Sequence, residues 1–121
     1  MIRQAIREDI PTIMSIVRSA QCALAELGID QWQDGYPSVE AIENDIEQGV
    51  GYVACNEQDV PMGYAAIVLT GEEAYKQIST WATGEDYVVV HRLCVSGDCR
   101  RQGISYRLMR YAAEQARKVG F

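Results

Sequence analysis

The chain has 121 residues, 48% of them hydrophobic, and a formal charge of −6, which suits one domain with a real core spanning residues 1–121 and is too little for two. The negative balance argues against nonspecific nucleic-acid binding. No apolar run reaches the roughly 18 residues that a membrane span needs.

The start, Met1-Ile2-Arg3-Gln4, lacks the apolar core of a signal peptide, so a cytoplasmic location is expected. Ile2 to Ala5 reads as a short first strand. Asp9 followed by Pro11 predicts a helix start, and Ile13, Ile16, Val17, Ala20, Leu24 and Leu27 form an apolar stripe that ends at Gly28. Ser38 is placed to cap a second helix carrying Ile42 and Ile46, which stops near Gly49. Tyr52 to Cys55 and Met62 to Leu69 predict two strands joined by the polar turn Asn56-Glu57-Gln58-Asp59. Pro61 fits an edge position or the first residue of its strand, because it has no N–H for a central rung.

The most informative stretch follows. Val88, Val89, Val90, Leu93 and Val95 are β-formers, and Ser96-Gly97-Asp98 stops the strand. Ile104, Leu108, Tyr111, Ala112, Gln115 and Val119 then recur at helical spacing. Between them lie Arg100, Arg101 and Gly103. A strand entering such a loop directly before a helix gathers free N–H groups, a helix dipole and cationic side chains at one point, which suits a phosphate. Gly103, lacking a Cβ, allows a ligand to come close to the backbone.

Arg100-Arg101-Gln102-Gly103-Ile104-Ser105 resembles the Arg/Gln-x-x-Gly-x-Gly/Ala acetyl-CoA signature of the GCN5-related N-acetyltransferase (GNAT) family. The preceding strand and following helix give the pattern its specificity; the alternative is a strand–turn–helix unit with solvated arginines. Ser105 departs from the signature, although it is small and able to donate a hydrogen bond. The resemblance implies that the backbones of Leu93, Cys94 and Val95 flank the pantetheine arm. It likewise implies that Arg100, Arg101, Gln102, Gly103, Ile104 and Ser105 cradle the pyrophosphate. Gln31-Trp32, Gly35-Tyr36-Pro37 and His91-Arg92 together resemble a subgroup of small bacterial members.

The expected fold is α/β (α+β): a mixed, mostly antiparallel sheet flanked by helices, in the order β-α-α-β-β-β-α. In the family another strand, a helix and a closing hairpin normally follow, so residues 1–121 are expected to cover the fold without that C-terminal part, which is either a truncation or supplied by a partner. An open strand edge at Val88–Val95 is therefore expected to invite a second chain, consistent with a possible homodimer. The acid that protonates the departing thiolate often lies in that further part of the family fold.

Charge is unevenly spread. Residues 91–121 carry a net +5 and residues 1–90 a net −11. A basic end suits an anionic cofactor, and an acidic remainder suits either a cationic amine or plain solubility. Cys22, Cys55, Cys94 and Cys99 show no disulfide scaffold or CxxC spacing and are expected to stay reduced. No metal is expected: His91 and Cys94, an odd number apart on a strand, should face opposite ways, and a structural zinc site needs a fourth ligand.

Acetylation of an amine needs an uncharged nitrogen, yet a lysine-like amine has a pKa of about 10.4. A base must remove that proton, directly or through water, before the nitrogen attacks the thioester. His91, expected on the face with Val89, Leu93 and Val95, is the leading base candidate because an imidazole titrates near neutrality. The competing reading is a half-buried histidine hydrogen-bonded into the sheet. Glu72 and Glu73 are further candidates, with solvated loop carboxylates as their alternative. Arg92 should point the other way and serve as an ion-pair partner. Trp32, Tyr36 and Trp81, in connecting segments, either wall the acceptor pocket or pack the core.

The reading is thus an acetyl-CoA-dependent N-acetyltransferase acting on a small-molecule or peptide amine. The alternatives are a CoA-binding or interaction module without transfer, and a phosphate site for another nucleotide. The last is disfavoured because no GxxxxGK[ST] or strand-linked GxGxxG is present.

Overall fold

A computed structural model describes residues 1–29, 32, 35–70, 87–97 and 102–118 of the chain. Four strands form one sheet: β1 (Ile2–Gln4), β2 (Gly51–Cys55), β3 (Pro61–Thr70) and β4 (Tyr87–Val95). They lie in the order β1-β2-β3-β4, and every neighbouring pair is antiparallel. A short 3-10 helix (Arg7–Asp9) and three α-helices complete the described structure: α1 (Ile10–Glu26), α2 (Val39–Glu47) and α3 (Ile104–Lys118). The element order is the one expected from the sequence, and the boundaries move by about a residue. Pro61 is the first residue of β3, the position its missing N–H allows.

Local chemistry explains where the elements stop. The Ser38 hydroxyl accepts from the Ala41 N–H at 3.2 Å and caps α2. Gly28 follows α1 with φ of +73°, a left-handed turn that a residue without Cβ makes at little cost. Asp9 precedes α1 but does not cap it by its side chain. Its carboxylate instead accepts from the Ile6 N–H at 2.9 Å and from both terminal nitrogens of Arg3 at 2.8 and 3.0 Å. The Asn56 carboxamide oxygen accepts from the N–H groups of Gln58 and Val60 and shapes the β2–β3 turn.

The alternation of strand side chains builds two cores. Val53, Cys55, Tyr64 and Cys94 pack with Ile13, Val17 and Ile42 on the side of α1 and α2. Ala54, Ala65 and Ile67 pack with Ile104, Leu108 and Ala112 of α3 on the opposite side. Ile104, Leu108, Ala112 and Ala116 recur every four residues, which presents one buried stripe to the sheet. Gly63 sets how near α3 comes: a Cβ there would lie 2.8 Å from Ile104 Cγ2. Among the described residues no helix is long and apolar enough to cross a membrane.

One irregularity changes the expected geometry. Tyr64 pairs with Cys94, but Ala66 pairs with His91, so β4 carries one more residue than β3 over this step. This is a β-bulge, in which two residues face one partner. Arg92 sits in it with φ of +53°. The bulge overturns the simple alternation argument. His91 is opposite Ala66 and shares the α1 side with Val89, whose partner is Val68. Leu93 and Val95 instead pack on the α3 side. The parity that placed His91 with Leu93 and Val95 therefore fails, as does the parity that set His91 and Cys94 on opposite faces.

Candidate cofactor and acceptor site

The end of β4 is held from two directions. The Ser96 N–H donates to the Met62 carbonyl at 2.8 Å, and the Gly97 N–H donates to the Ser19 hydroxyl of α1 at 3.1 Å. The described residues resume at Gln102 and Gly103, and α3 begins. Its first turn closes with the Arg107 N–H donating to the Gly103 carbonyl at 3.0 Å. The N–H groups of Ile104, Ser105 and Tyr106 precede that bond and have no partner within the helix.

A pocket of about 410 Å³ opens here, lined by Ala20, Ala23 and Leu24 of α1, by Trp32, by Leu93, Cys94 and Val95 of β4, and by Ser105 of α3. The volume lies within the usual range of about 300–1,000 Å³ for ligand sites. Its walls are chiefly apolar, with the positive end of the α3 dipole at one border. Gly103 has φ of +73°, and a Cβ built there meets no described residue within 4 Å. Among the described residues nothing blocks its backbone from an approaching anion.

Four of the residues expected to hold the cofactor, Leu93, Cys94, Val95 and Ser105, are brought together with Trp32 in this one pocket. Ile104 has only its backbone free for such a role, because its side chain is buried at 1% exposure in the α3 core. Gln102 is exposed and lines a neighbouring cavity of about 460 Å³ with Arg107 and the β2–β3 turn. Arg100, Arg101, Glu72, Glu73 and Trp81 lie outside the described residues. His91 is exposed and is not one of the pocket's lining residues. Among the described residues no group of three or more His, Cys, Asp or Glu side chains could hold a metal ion.

Tyr36 takes part in a different arrangement. Its hydroxyl accepts from Arg92 Nη1 at 3.1 Å, and its carbonyl accepts from Gln21 Nε2 at 2.8 Å. Arg92 also donates from Nε to Asp45 Oδ2 at 2.8 Å and from Nη2 to Asp45 Oδ1, a bidentate pair. The Tyr64 hydroxyl donates to Asp45 Oδ2 at 2.7 Å. Asp45 itself is 2% exposed, so a buried carboxylate is satisfied by three hydrogen bonds from two residues. Burial, and then the bond to Asp45, pushes the Tyr64 phenol well above its ordinary value. The Asp45 carboxylate raises Arg92 further, so the guanidinium stays charged. The expected ion-pair role of Arg92 is present. Asp45 and Tyr64 escaped the sequence reading, although Asp45 stood on the apolar face of α2 between Ile42 and Ile46, an unusual place for an unpartnered carboxylate.

A strand end and a helix N-terminus border one apolar pocket, an arrangement able to take a phosphate-bearing ligand, and comparison with known proteins narrows the reading. Residues 14–121 match the acetyltransferase (GNAT) family. The chain belongs to that family. It is similar to the solved structure of a GNAT acetyltransferase from Streptococcus agalactiae 2603, with 30% identity and a TM-score of 0.75, covering 91% of this chain and 66% of that one. It is similar to N-acetylglutamate synthase from Neisseria gonorrhoeae, solved with coenzyme A and N-acetylglutamate, with 28% identity and a TM-score of 0.67. That match covers 100% of this chain and 23% of the synthase. A Listeria monocytogenes 4b F2365 GNAT structure shares the fold at 21% identity and a TM-score of 0.75, covering 98% of this chain and 70% of that one. The chain thus spans about two thirds of the length of the streptococcal relative. No curated protein matches the chain.

Proposed function

We propose that this protein is an acetyl-CoA-dependent N-acetyltransferase that moves an acetyl group to a primary amine by direct attack on the thioester. The observation that carries the reading is the joining of Leu93–Val95 and Ser105 in one pocket at the start of α3, in a chain of this family. The chemistry of the site fits the ligand. An apolar wall suits a pantetheine arm, and the helix start with its bare Gly103 suits a pyrophosphate. Each such charge–dipole contact is worth only about 0.3–1 kcal/mol when exposed, so several must act together. The Neisseria relative was solved with coenzyme A, which supports the same ligand class.

Acetyl-CoA supplies the activated acyl group. The chain must then accept the amine in its neutral form, fix it against the thioester carbonyl and receive a proton. The C–N bond forms as the C–S bond breaks, and CoA leaves as the thiolate. His91, Glu72 and Glu73 are the proposed proton acceptors, and Trp32, Tyr36 and Trp81 the proposed acceptor wall. Arg100 and Arg101 are assigned to the pyrophosphate in the same proposal.

Calorimetric titration with acetyl-CoA, desulfo-CoA and ATP tests the cofactor. A panel of primary amines, read by release of free thiol, then tests transfer. Saturable binding of both CoA ligands but not ATP, with amine-dependent thiol release, is the expected result. Binding without release for any amine would leave a CoA-binding module. No CoA binding by the folded chain would overturn the proposal.

A further inference from the structure

The bulge in β4 does more than tilt the strand. Arg92, a bulky residue, holds a left-handed backbone at φ +53°, a conformation that persists only where the surroundings over-determine it. The surroundings do so through the side chain. Its fork is clamped to both oxygens of Asp45, which is buried on α2 and also held by the Tyr64 hydroxyl of β3. The guanidinium is therefore fixed relative to the sheet, and its remaining nitrogen reaches the Tyr36 hydroxyl.

Tyr36 belongs to the connection between α1 and α2, which also carries Trp32. That connection is thus tied twice: to α1 through the Gln21 bond to the Tyr36 carbonyl, and to β4 through Arg92. Leu93, the next residue after Arg92, lines the same pocket as Trp32. We propose that Arg92 is a positioning residue that couples the cofactor strand to the acceptor-side connection, through its bond to the Tyr36 hydroxyl. The proposal rests on the assignment of this pocket to acetyl-CoA and adds to it how cofactor binding is passed to the acceptor side.

Asp45 gives the coupling its direction. A guanidinium free to swing would follow Tyr36 and transmit nothing. One locked in a bidentate pair keeps its third nitrogen aimed, so that a shift of the strand at Leu93 moves the point where Tyr36 is held. Tyr36 is 46% exposed, so removing its hydroxyl leaves both cores untouched.

Amide hydrogen exchange with and without saturating acetyl-CoA tests this on the full chain, with calorimetry confirming saturation. In the unaltered protein, exchange in the peptide containing Trp32 and Tyr36 should slow about five-fold or more on binding. In Tyr36→Phe, acetyl-CoA should still saturate, but the slowing should fall below about two-fold. Arg92→Lys, which keeps the charge and loses the fork, should behave like Tyr36→Phe. Because Arg92 variants risk misfolding, Tyr36→Phe decides. Protection equal to that of the unaltered protein in Tyr36→Phe would overturn the coupling and leave the cofactor assignment standing. So would bound acetyl-CoA that protects nothing at Tyr36. A folded chain that binds no acetyl-CoA overturns the cofactor assignment and the coupling with it.

Discussion

Gly63 shows how little room the molecule leaves where its helix meets its sheet. A Cβ there would sit 2.8 Å from Ile104 Cγ2 and 3.3 Å from both the Cys94 carbonyl and Leu108 Cδ1. Gly63→Ala should therefore push the first turn of α3 outward and cost about 1–3 kcal/mol, as overpacking generally does. A urea melt measures the stability, and weaker acetyl-CoA binding should accompany it. Arg92→Met strips a buried carboxylate of its charge partner. Breaking such a pair typically costs about 3–5 kcal/mol, and a loss under about 1 kcal/mol in the same melt would show that Asp45 finds water instead. Asp9 sets an acid-side sensitivity. The hydrogen bonds from Arg3, with help from the Ile6 N–H and against the effect of burial, hold its carboxyl below the usual range. Its folded-state pKa is thus depressed, so its contribution is complete above about pH 4 and is lost as pH falls through the lower folded value. Asp9→Asn should flatten that part of the stability–pH curve.

At the scale of elements, the caps and turns were readable because each has a local chemical cause. Ser38 accepts from Ala41, Gly28 turns left-handed after α1, and Pro61 opens β3. The convergence of β4 and α3 was readable for the same reason, and Leu93, Cys94, Val95 and Ser105 indeed share one pocket. The bulge was not. Val-Val-Val-His-Arg-Leu-Cys-Val is a run without punctuation, and counting by twos assumes one residue per rung. No glycine marks the left-handed position, since a long-range clamp by Asp45 holds it, and sequence spacing cannot display that clamp. His91 was misplaced relative to Leu93 and Val95 on that account. The open backbone at Gly103 yields a sharper expectation. Gly103→Trp should abolish measurable acetyl-CoA binding by calorimetry, since a side chain there fills the space before the helix start. Unchanged affinity would remove the pyrophosphate from this loop.

For the whole molecule, the excess of positive charge after residue 90 and of negative charge before it gives a ligand-binding prediction. Acetyl-CoA affinity should weaken as salt rises, because the attraction between an anionic ligand and a basic end is screened within about 10 Å at 0.1 M. Binding should also raise the melting temperature. A ligand at a hundred times its Kd stabilises by about 2.7 kcal/mol, on the order of 10 °C for a domain of this length. A melting temperature unmoved by acetyl-CoA, but moved by ATP, would redirect the assignment to another nucleotide.

The two cores do not need every residue that separates them. Because Arg92 and Leu93 together stand opposite Ala65, cutting Arg92 out of the chain would leave His91, Leu93, Cys94 and Val95 beside the same partners on β3, with the same side chains turned inward. The sheet would become regular and the hydrophobic pattern would be unaltered. Deleting Arg92 together with Asp45→Asn, which spares α2 an orphaned charge, should thus give a protein that still folds while the tie to Tyr36 is gone. One residue in β4 thus separates the irregular ladder from a regular one.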